Sequence, residues 1–433
     1  KLVPRSLPNL ADVPVGAVTL GKSYVTRPFL LRSAISHVMN PALAKAPCVL
    51  AGMGGGGKTV LASAVVRDRK IREYFRAGIF WLKVGQNAKE DLHALLRGLV
   101  LELAARDTKY LPQLESLEDV TRHLTAVDAN SSPRLVVLDD VWEGEVVDAL
   151  EHTGMQLLVT TRDRAVVSVP GGSVEVGDME ENEALEVLSV GCGAFRTVEL
   201  PRVEALQVAA DCGKLALALD LAAPLLKSPP QDPNSWRILH DALAARLGMH
   251  RAMTVGTRVQ AVLETSFGAM ADDPRRQERC LFLAVLAPGT LAPPDMLQEL
   301  WNEARGAART FAKQLVDQSM LQAVGDAYRV HDLVLRFLKP KLKADPSRLV
   351  ATSRVVEYCG QRRVLHRYTE DGATAGGLYS LIALWRSAES LSEDQQVAAA
   401  YKRSLDGVTE GEPWLQASHV LGLMVRRVLN FVR

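Results

Sequence analysis

The stretch Gly52-Met53-Gly54-Gly55-Gly56-Gly57-Lys58-Thr59 constrains this chain more than any other part of it. It fits the pattern G-x-x-x-x-G-K-[ST], a phosphate-binding loop. That pattern carries meaning only between a strand and a helix. Here Cys48-Val49-Leu50-Ala51 reads as a buried strand before it, and Val60 to Val66 reads as a helix after it. Glycines let successive backbone N–H groups turn toward one point. The helix start adds its partial positive charge. Gly54, Gly55, Gly56, Gly57, Lys58, Thr59 and Val60 are therefore the candidate phosphate contacts. Lys58 can reach the β- and γ-phosphates, and the Thr59 hydroxyl can coordinate Mg²⁺. A flexible glycine linker would not be flanked by a strand and a helix, nor end in Lys-Thr.

A second element belongs with the first. Leu135-Val136-Val137-Leu138-Asp139-Asp140 is an apolar strand ending in two acids, as a Walker B strand does. It would deliver Asp139 to the sheet edge beside Thr59, where the two hold Mg²⁺. Asp140 would polarise an attacking water. An acidic pair alone is more often a solvated turn; the upstream loop gives it weight. The next strand, Met155 to Thr161, ends in Arg162, a cation placed to sense a γ-phosphate through a charge-assisted hydrogen bond.

Around these motifs the pattern alternates. Cys48–Gly52, Gly78–Val84, Arg134–Asp139 and Met155–Thr161 read as strands; Lys58–Asp68, Ala88–Arg106, Leu117–Val127 and Glu143–Leu150 read as helices. Interleaving of this kind predicts a mainly parallel sheet with helices on its faces, and ligands at the carboxyl ends of its strands. The expected fold is thus an α/β P-loop NTPase domain over 13–177. A helical domain over 178–253 follows, then a winged-helix domain over 254–345 and a second helical domain over 346–433. The winged helix rests on helical patterns plus a hairpin, Met320–Val324 and Tyr328–Val330 about the turn Gly325-Asp326. The second helical domain breaks at Glu370-Asp371-Gly372 and at Glu410-Gly411-Glu412-Pro413. Residues 1–12 are set aside as a lead-in or a vector-derived tag, and the sequence reads as a segment of a longer chain.

Composition narrows the function. The 433 residues carry a formal net charge of +1, so no bulk attraction to nucleic acid or anionic membrane is implied. Apolar stretches such as Leu215 to Leu226 are too short to span a bilayer, and no secretory signal is present. The five scattered cysteines suit a reduced, cytoplasmic chain with buried thiols.

Taken in order, the motifs resemble the NB-ARC family of STAND-type nucleotide switches, which includes plant disease-resistance proteins and the animal apoptosis protease-activating factor. The loop looks like the family's G-M-G-G-x-G-K-T. Leu138-Asp139-Asp140-Val141-Trp142 looks like L-D-D-V-W, and Leu158-Val159-Thr160-Thr161-Arg162-Asp163 like L-V-T-T-R-D. Cys212 to Leu219 looks like C-G-G-L-P-L-A-L, and Val330-His331-Asp332-Leu333 like M-H-D-L. Tyr24-Val25-Thr26-Arg27 looks like the F-V-T-R that lies beside the adenine in the apoptotic factor.

The resemblance implies ADP or ATP with Mg²⁺ as ligands. Val25, Arg27, Leu215 and Ala216 would lie on the adenine side, and His331 would reach the ADP β-phosphate and lock the domains. It implies a closed resting state with ADP, an ATP state that assembles into a homo-oligomer, at most slow ATPase turnover, and a role in immune or cell-death signalling. Moving a population from 1:99 to 99:1 needs about 5.5 kcal/mol. One charged hydrogen bond to Arg162 contributes about 1.5–3 kcal/mol, so sensor or effector partners are expected to supply the rest. Three positions depart from the pattern: Ala216 replaces the adenine-packing proline, Val330 replaces methionine, and Gly56 replaces an apolar residue. A DNA-binding regulator is the alternative, from Arg305, Arg309 and Lys313 on one helix face with Lys339, Lys341 and Lys343 nearby. Near-neutral charge favours a solvated basic face, and nucleic acid is not an expected partner. A work-producing motor ATPase would instead show fast turnover and no retained ADP.

Overall fold

A computed structural model describes residues 10–40, 46–86, 88–107, 116–128, 133–167, 173–194, 200–226, 232–249 and 254–359. Expectations for the lead-in up to residue 9, and for the second helical domain from residue 360 on, lie outside the described residues. So do the breaks at 370–372 and 410–413. The chain divides into two compact units. The first is Lys1–Leu20, Thr26–Met53 and Lys58–Val176; the second is Gly21–Val25, Gly54–Gly57 and Gly177–Arg433.

The first unit is built on a five-stranded sheet. In chain order its elements are α1 (Pro28–Val38), β1 (Cys48–Ala51), α2 (Lys58–Val65), α3 (Arg69–Tyr74), β2 (Ile79–Gly85), α4 (Ala88–Asp107), α5 (Leu117–Asp128), β3 (Leu135–Val141), α6 (Glu145–Glu151), β4 (Gln156–Thr161) and β5 (Val174–Glu175). The strands run β2-β3-β4-β1-β5, and every neighbouring pair is parallel. Strands β1, β3 and β4 bury every residue, as strands covered on both faces must. The core holds Leu50, Leu61, Val65, Ile71, Phe75 and Trp81. All the strands and helices read from the sequence are present. The helix expected to Asp68 ends at Val65, because the Asp68 carboxylate accepts from the Lys70 N–H and caps α3 instead.

The second unit is mainly helical. It contains α7 (Glu181–Gly191), α8 (Arg202–Asp211), α9 (Ala216–Ala222), α10 (Pro233–Leu247), α11 (Val255–Gly268), α12 (Pro274–Phe282), α13 (Pro294–Trp301), α14 (Arg305–Asp317), β6 (Gln322–Val324), β7 (Ala327–Arg329), α15 (Asp332–Lys343) and α16 (Arg348–Cys359). Local chemistry sets the helix starts. Asp232 caps α10 ahead of Pro233, Thr254 and Thr257 form a capping box on α11, and Asp273 caps α12 ahead of Pro274. Strands β6 and β7 form the expected hairpin, antiparallel about Gly325 at φ +55°. An isolated bridge from Tyr328 to Ala292 extends it. One apolar cluster runs from Val25 through Leu188, Trp236 and Phe282 to Tyr358.

Candidate nucleotide site

In the first unit the chemistry gathers at the carboxyl ends of the parallel strands. Gly52 follows β1 directly. A Cβ there would sit 2.3 Å from the Val176 carbonyl oxygen, so only glycine fits. Lys58 and Thr59 open α2. The Thr59 hydroxyl lies 2.7 Å from Asp139 Oδ1, and the Thr160 hydroxyl donates to the same oxygen at 2.8 Å. Thr160 in turn accepts from the Asp140 N–H at 2.8 Å. Asp140 adopts φ +62°, and the β3–β4 register shifts between Leu138 and Val141. A left-handed, buried aspartate at a bulge is the kind of local strain that a functional site retains.

Both carboxylates are held by cations. Lys83 Nζ lies 3.4 Å from Asp139 Oδ2 and 3.3 Å from Asp140 Oδ2. Arg162 Nε lies 3.4 Å from Asp140 Oδ1, and its guanidinium stacks 4.8 Å over the Trp142 ring. Lys58 Nζ donates to the Gly52 and Met53 carbonyls at 2.7 and 2.8 Å. Burial, then repulsion from Arg162, pulls the Lys58 ammonium down to about 8. Thr59 and Asp139 offer a hydroxyl and a carboxylate, hard oxygen donors of the number Mg²⁺ takes from protein when phosphates and water complete its shell. Among the described residues no group of three or more His, Cys, Asp or Glu side chains is gathered for a metal. Burial pushes the Cys48 and Cys280 thiols up to about 12 and raises Cys212 as well, so these are core residues.

In the second unit the loop glycines meet the start of α9. Gly55, at φ +85°, accepts from the Leu217 N–H through its carbonyl at 3.0 Å. That N–H lies in the first turn of α9, where helix donors lack intrahelical partners. A Cβ on Gly55 would meet Leu217 at 3.3 Å and Leu333 at 3.5 Å, and one on Gly57 would meet Ala216 at 3.5 Å. Leu215 is the N-cap of α9 and Ala216 its first residue. His331 is the N-cap of α15: its Nδ1 accepts from the Leu333 N–H at 3.1 Å, which leaves the imidazole proton on Nε2. Val25 is buried in the same apolar cluster as Leu215 and Leu217.

Of the residues predicted from sequence, the first unit brings together Lys58, Thr59, Asp139, Asp140 and Arg162. The second unit brings Gly55 and Gly57 to Leu217, Ala216 and Leu333. Val60 is half-buried on α2, and Arg27 is the half-buried residue that precedes α1. Sequence reasoning missed Lys83. Its signal was a lysine inside the apolar run Ile79-Phe80-Trp81-Leu82-Lys83-Val84.

A parallel sheet in this order, with a glycine loop after β1 and acids at the end of β3, defines an α/β domain of the P-loop NTPase class. Residues 35–194 match the NB-ARC domain. That segment of the chain thus carries an NB-ARC domain. It is similar to apoptotic protease-activating factor 1 of Danio rerio, 29% identical over 304 residues, covering 66% of this chain and 23% of that protein. It is similar to a probable disease resistance protein of Arabidopsis thaliana, 27% identical over 285 residues, covering 64% of this chain and 32% of that one. The regulatory protein AfsR of Streptomyces griseus is 28% identical over 347 residues, covering 77% of this chain and 33% of that protein. The chain therefore spans no more than a third of the length of these relatives. Among solved structures, a signal transduction ATPase with numerous domains and a tetratricopeptide repeat sensor, from Pyrococcus horikoshii, shares the fold. Its TM-score is 0.52 at 14% identity, over 98% of this chain and 60% of that chain. No described helix is long and apolar enough to cross a membrane.

Proposed function

We propose that this chain is an ADP/ATP-operated switch of signal transduction, closed with ADP and competent to assemble with ATP. The observation that carries the reading is the Thr59 hydroxyl 2.7 Å from Asp139, at the head of the helix that follows the glycine loop. Lys58 exchanges its two loop carbonyls for phosphate oxygens. Thr59 and Asp139 hold Mg²⁺, which when bound neutralises phosphate charge. Arg162 leaves Asp140 for the γ-phosphate. Val25, Arg27, Leu215 and Ala216 lie on the adenine side, and His331 offers its Nε2 proton to the ADP β-phosphate.

Turnover is slow on this reading. A base is weakened when a cation sits on its oxygens, and Asp140 keeps its pairing with Lys83 after Arg162 turns to the γ-phosphate. The organisation we propose is a nucleotide domain over 13–177, a helical domain over 178–253, a winged helix over 254–345 and a second helical domain over 346–433. The hairpin after α14 supports the winged helix. Similarity to proteins named for apoptosis and disease resistance supports a role in immune or cell-death signalling. On this reading the chain acts in the cytoplasm, with a homo-oligomeric active state and further sensor or effector parts. Arg305, Arg309 and Lys313 are exposed on α14, and we read them as a solvated basic face.

The test is to denature the purified protein and identify the nucleotide released. Near-stoichiometric ADP is expected. Release of no nucleotide, together with no binding of labelled ADP or ATP on titration, overturns the reading.

A further inference from the structure

Lys83 sits where a strand of this kind otherwise carries an apolar side chain. Ile79, Phe80, Trp81, Leu82 and Val84 around it on β2 are all buried. The parallel register pairs Lys83 with Asp139 directly. Its side chain is only 13% exposed, and its ammonium bridges Asp139 Oδ2 and Asp140 Oδ2. The remaining oxygens are already engaged: Asp139 Oδ1 by Thr59 and Thr160, Asp140 Oδ1 by Arg162. Burying an ammonium is costly unless it is paired, and here two carboxylates pair it. The same arrangement neutralises the acids. Lys58, Lys83 and Arg162 face Asp139 and Asp140, so the fixed charges of the cluster sum to one positive. Without Lys83 they would cancel, and the acids would repel a diphosphate unless a metal came with it. A divalent ion approaching Asp139 meets this ammonium 3.4 Å from the carboxylate, and like charges at such range oppose each other strongly in a buried site.

We propose that Lys83 is a built-in counter-ion to the acidic pair, which keeps free divalent cations off Asp139 and Asp140 and makes ADP binding nearly independent of Mg²⁺. The second half rests on the nucleotide-switch reading; the first half does not. Lys83 is thus a positioning residue that sets the metal dependence of the site.

The test compares the unmodified protein with Lys83→Gln, which keeps donors for both carboxylates but removes the charge, and with Lys83→Arg, which keeps the charge. Mn²⁺ binding to the nucleotide-free protein is read by electron paramagnetic resonance. The Gln variant should bind Mn²⁺ about tenfold tighter or more, and the Arg variant should match the unmodified protein. Equal Mn²⁺ affinity in all three overturns the proposal. ADP titration in Mg²⁺ and in EDTA should differ by less than about threefold in the unmodified protein. In the Gln variant EDTA should cost about tenfold or more. The same ratio in both overturns the Mg²⁺-independence. If the unmodified protein binds no ADP in either buffer, the switch reading fails, and Mn²⁺ still decides the counter-ion role. If Lys83→Gln does not fold, the unmodified protein decides: millimolar Mn²⁺ binding without nucleotide is expected, and binding at about 10 μM or tighter overturns the proposal.

Discussion

The carboxyl ends of β2, β3 and β4 and the starts of α9 and α15 solve opposite problems. The first region is crowded with charge: Lys58, Lys83 and Arg162 face Asp139 and Asp140, all at least half-buried. The second carries little of it beyond Asp332, the first residue of α15. There one backbone hydrogen bond, from Leu217 to Gly55, and the apolar side chains of Ala216, Leu217 and Leu333 line the loop, with one neutral imidazole at His331. Charge pairs change their energies with salt, pH and metal, whereas packing and main-chain bonds do not. The first region is suited to telling one phosphate state from another. The second is suited to holding a fixed shape around the loop.

The largest effect that would sharpen this contrast is Lys58→Ala. Losing charged hydrogen bonds worth about 1.5–3 kcal/mol each should cost ADP affinity roughly a hundredfold or more, with the fold retained by circular dichroism. Unchanged affinity would remove the charged region from nucleotide binding altogether.

Next in size is pH. The Lys58 ammonium of the free protein titrates at about 8, below its ordinary 10.5. Below that pH the cation is present and ADP binding is at full strength. Above it affinity should fall, by up to about tenfold per pH unit, until the value of the bound state is passed. For folding the sign is opposite. Between about 8 and 10.5 the unfolded chain holds more protons at this group, so the free protein gains stability from it as pH rises. Calorimetry from pH 7 to 9 checks both; a flat affinity would break the assignment.

His331 allows a finer cut. His331→Asn keeps an N-cap oxygen for Leu333 but loses the Nε2 proton, so it should lower ADP affinity while leaving thermal stability nearly unchanged. His331→Ala should do both, at about 1 kcal/mol of stability. Equal ADP affinity in both variants and the unmodified protein would leave His331 as a cap alone.

The smallest effect is expected from Ala216→Pro. Ala216 is the first residue of α9, where a missing N–H is harmless, and Leu215 before it is extended at φ −84°, ψ 127°, as a residue preceding proline must be. The substitution should raise stability by up to about 1 kcal/mol and tighten ADP slightly. A melting temperature that falls would show strain at the start of α9.

Most of this fold could be read along the chain because its signals are local. The glycine loop, the apolar strand runs, the acids at the end of β3 and the Gly325 turn each sit within a few residues. What escaped notice depends on partners distant in sequence. Strand β5 is two residues long and exists through its pairing to β1. Helix α1 is the exception, since Pro28 at its start and Leu30, Leu31, Ala34, Ile35 and Val38 at helical spacing are a local signal. The left-handed Asp140 follows from the β3–β4 bulge, and the role of Lys83 follows from the β2–β3 register, which sets that lysine beside an acid far along the chain. Neither can be read from residue type and spacing alone.

The bond from Leu217 to Gly55 has a consequence for descent as well as for shape. Both of its atoms are main chain. Almost any exchange of side chains at position 217 leaves the donor in place; proline alone deletes it. Lineages can therefore lose all recognisable letters around the start of α9 while inheriting the tie intact. A search for correlated substitutions would pass over it, since an attachment that no substitution breaks leaves no compensating change behind.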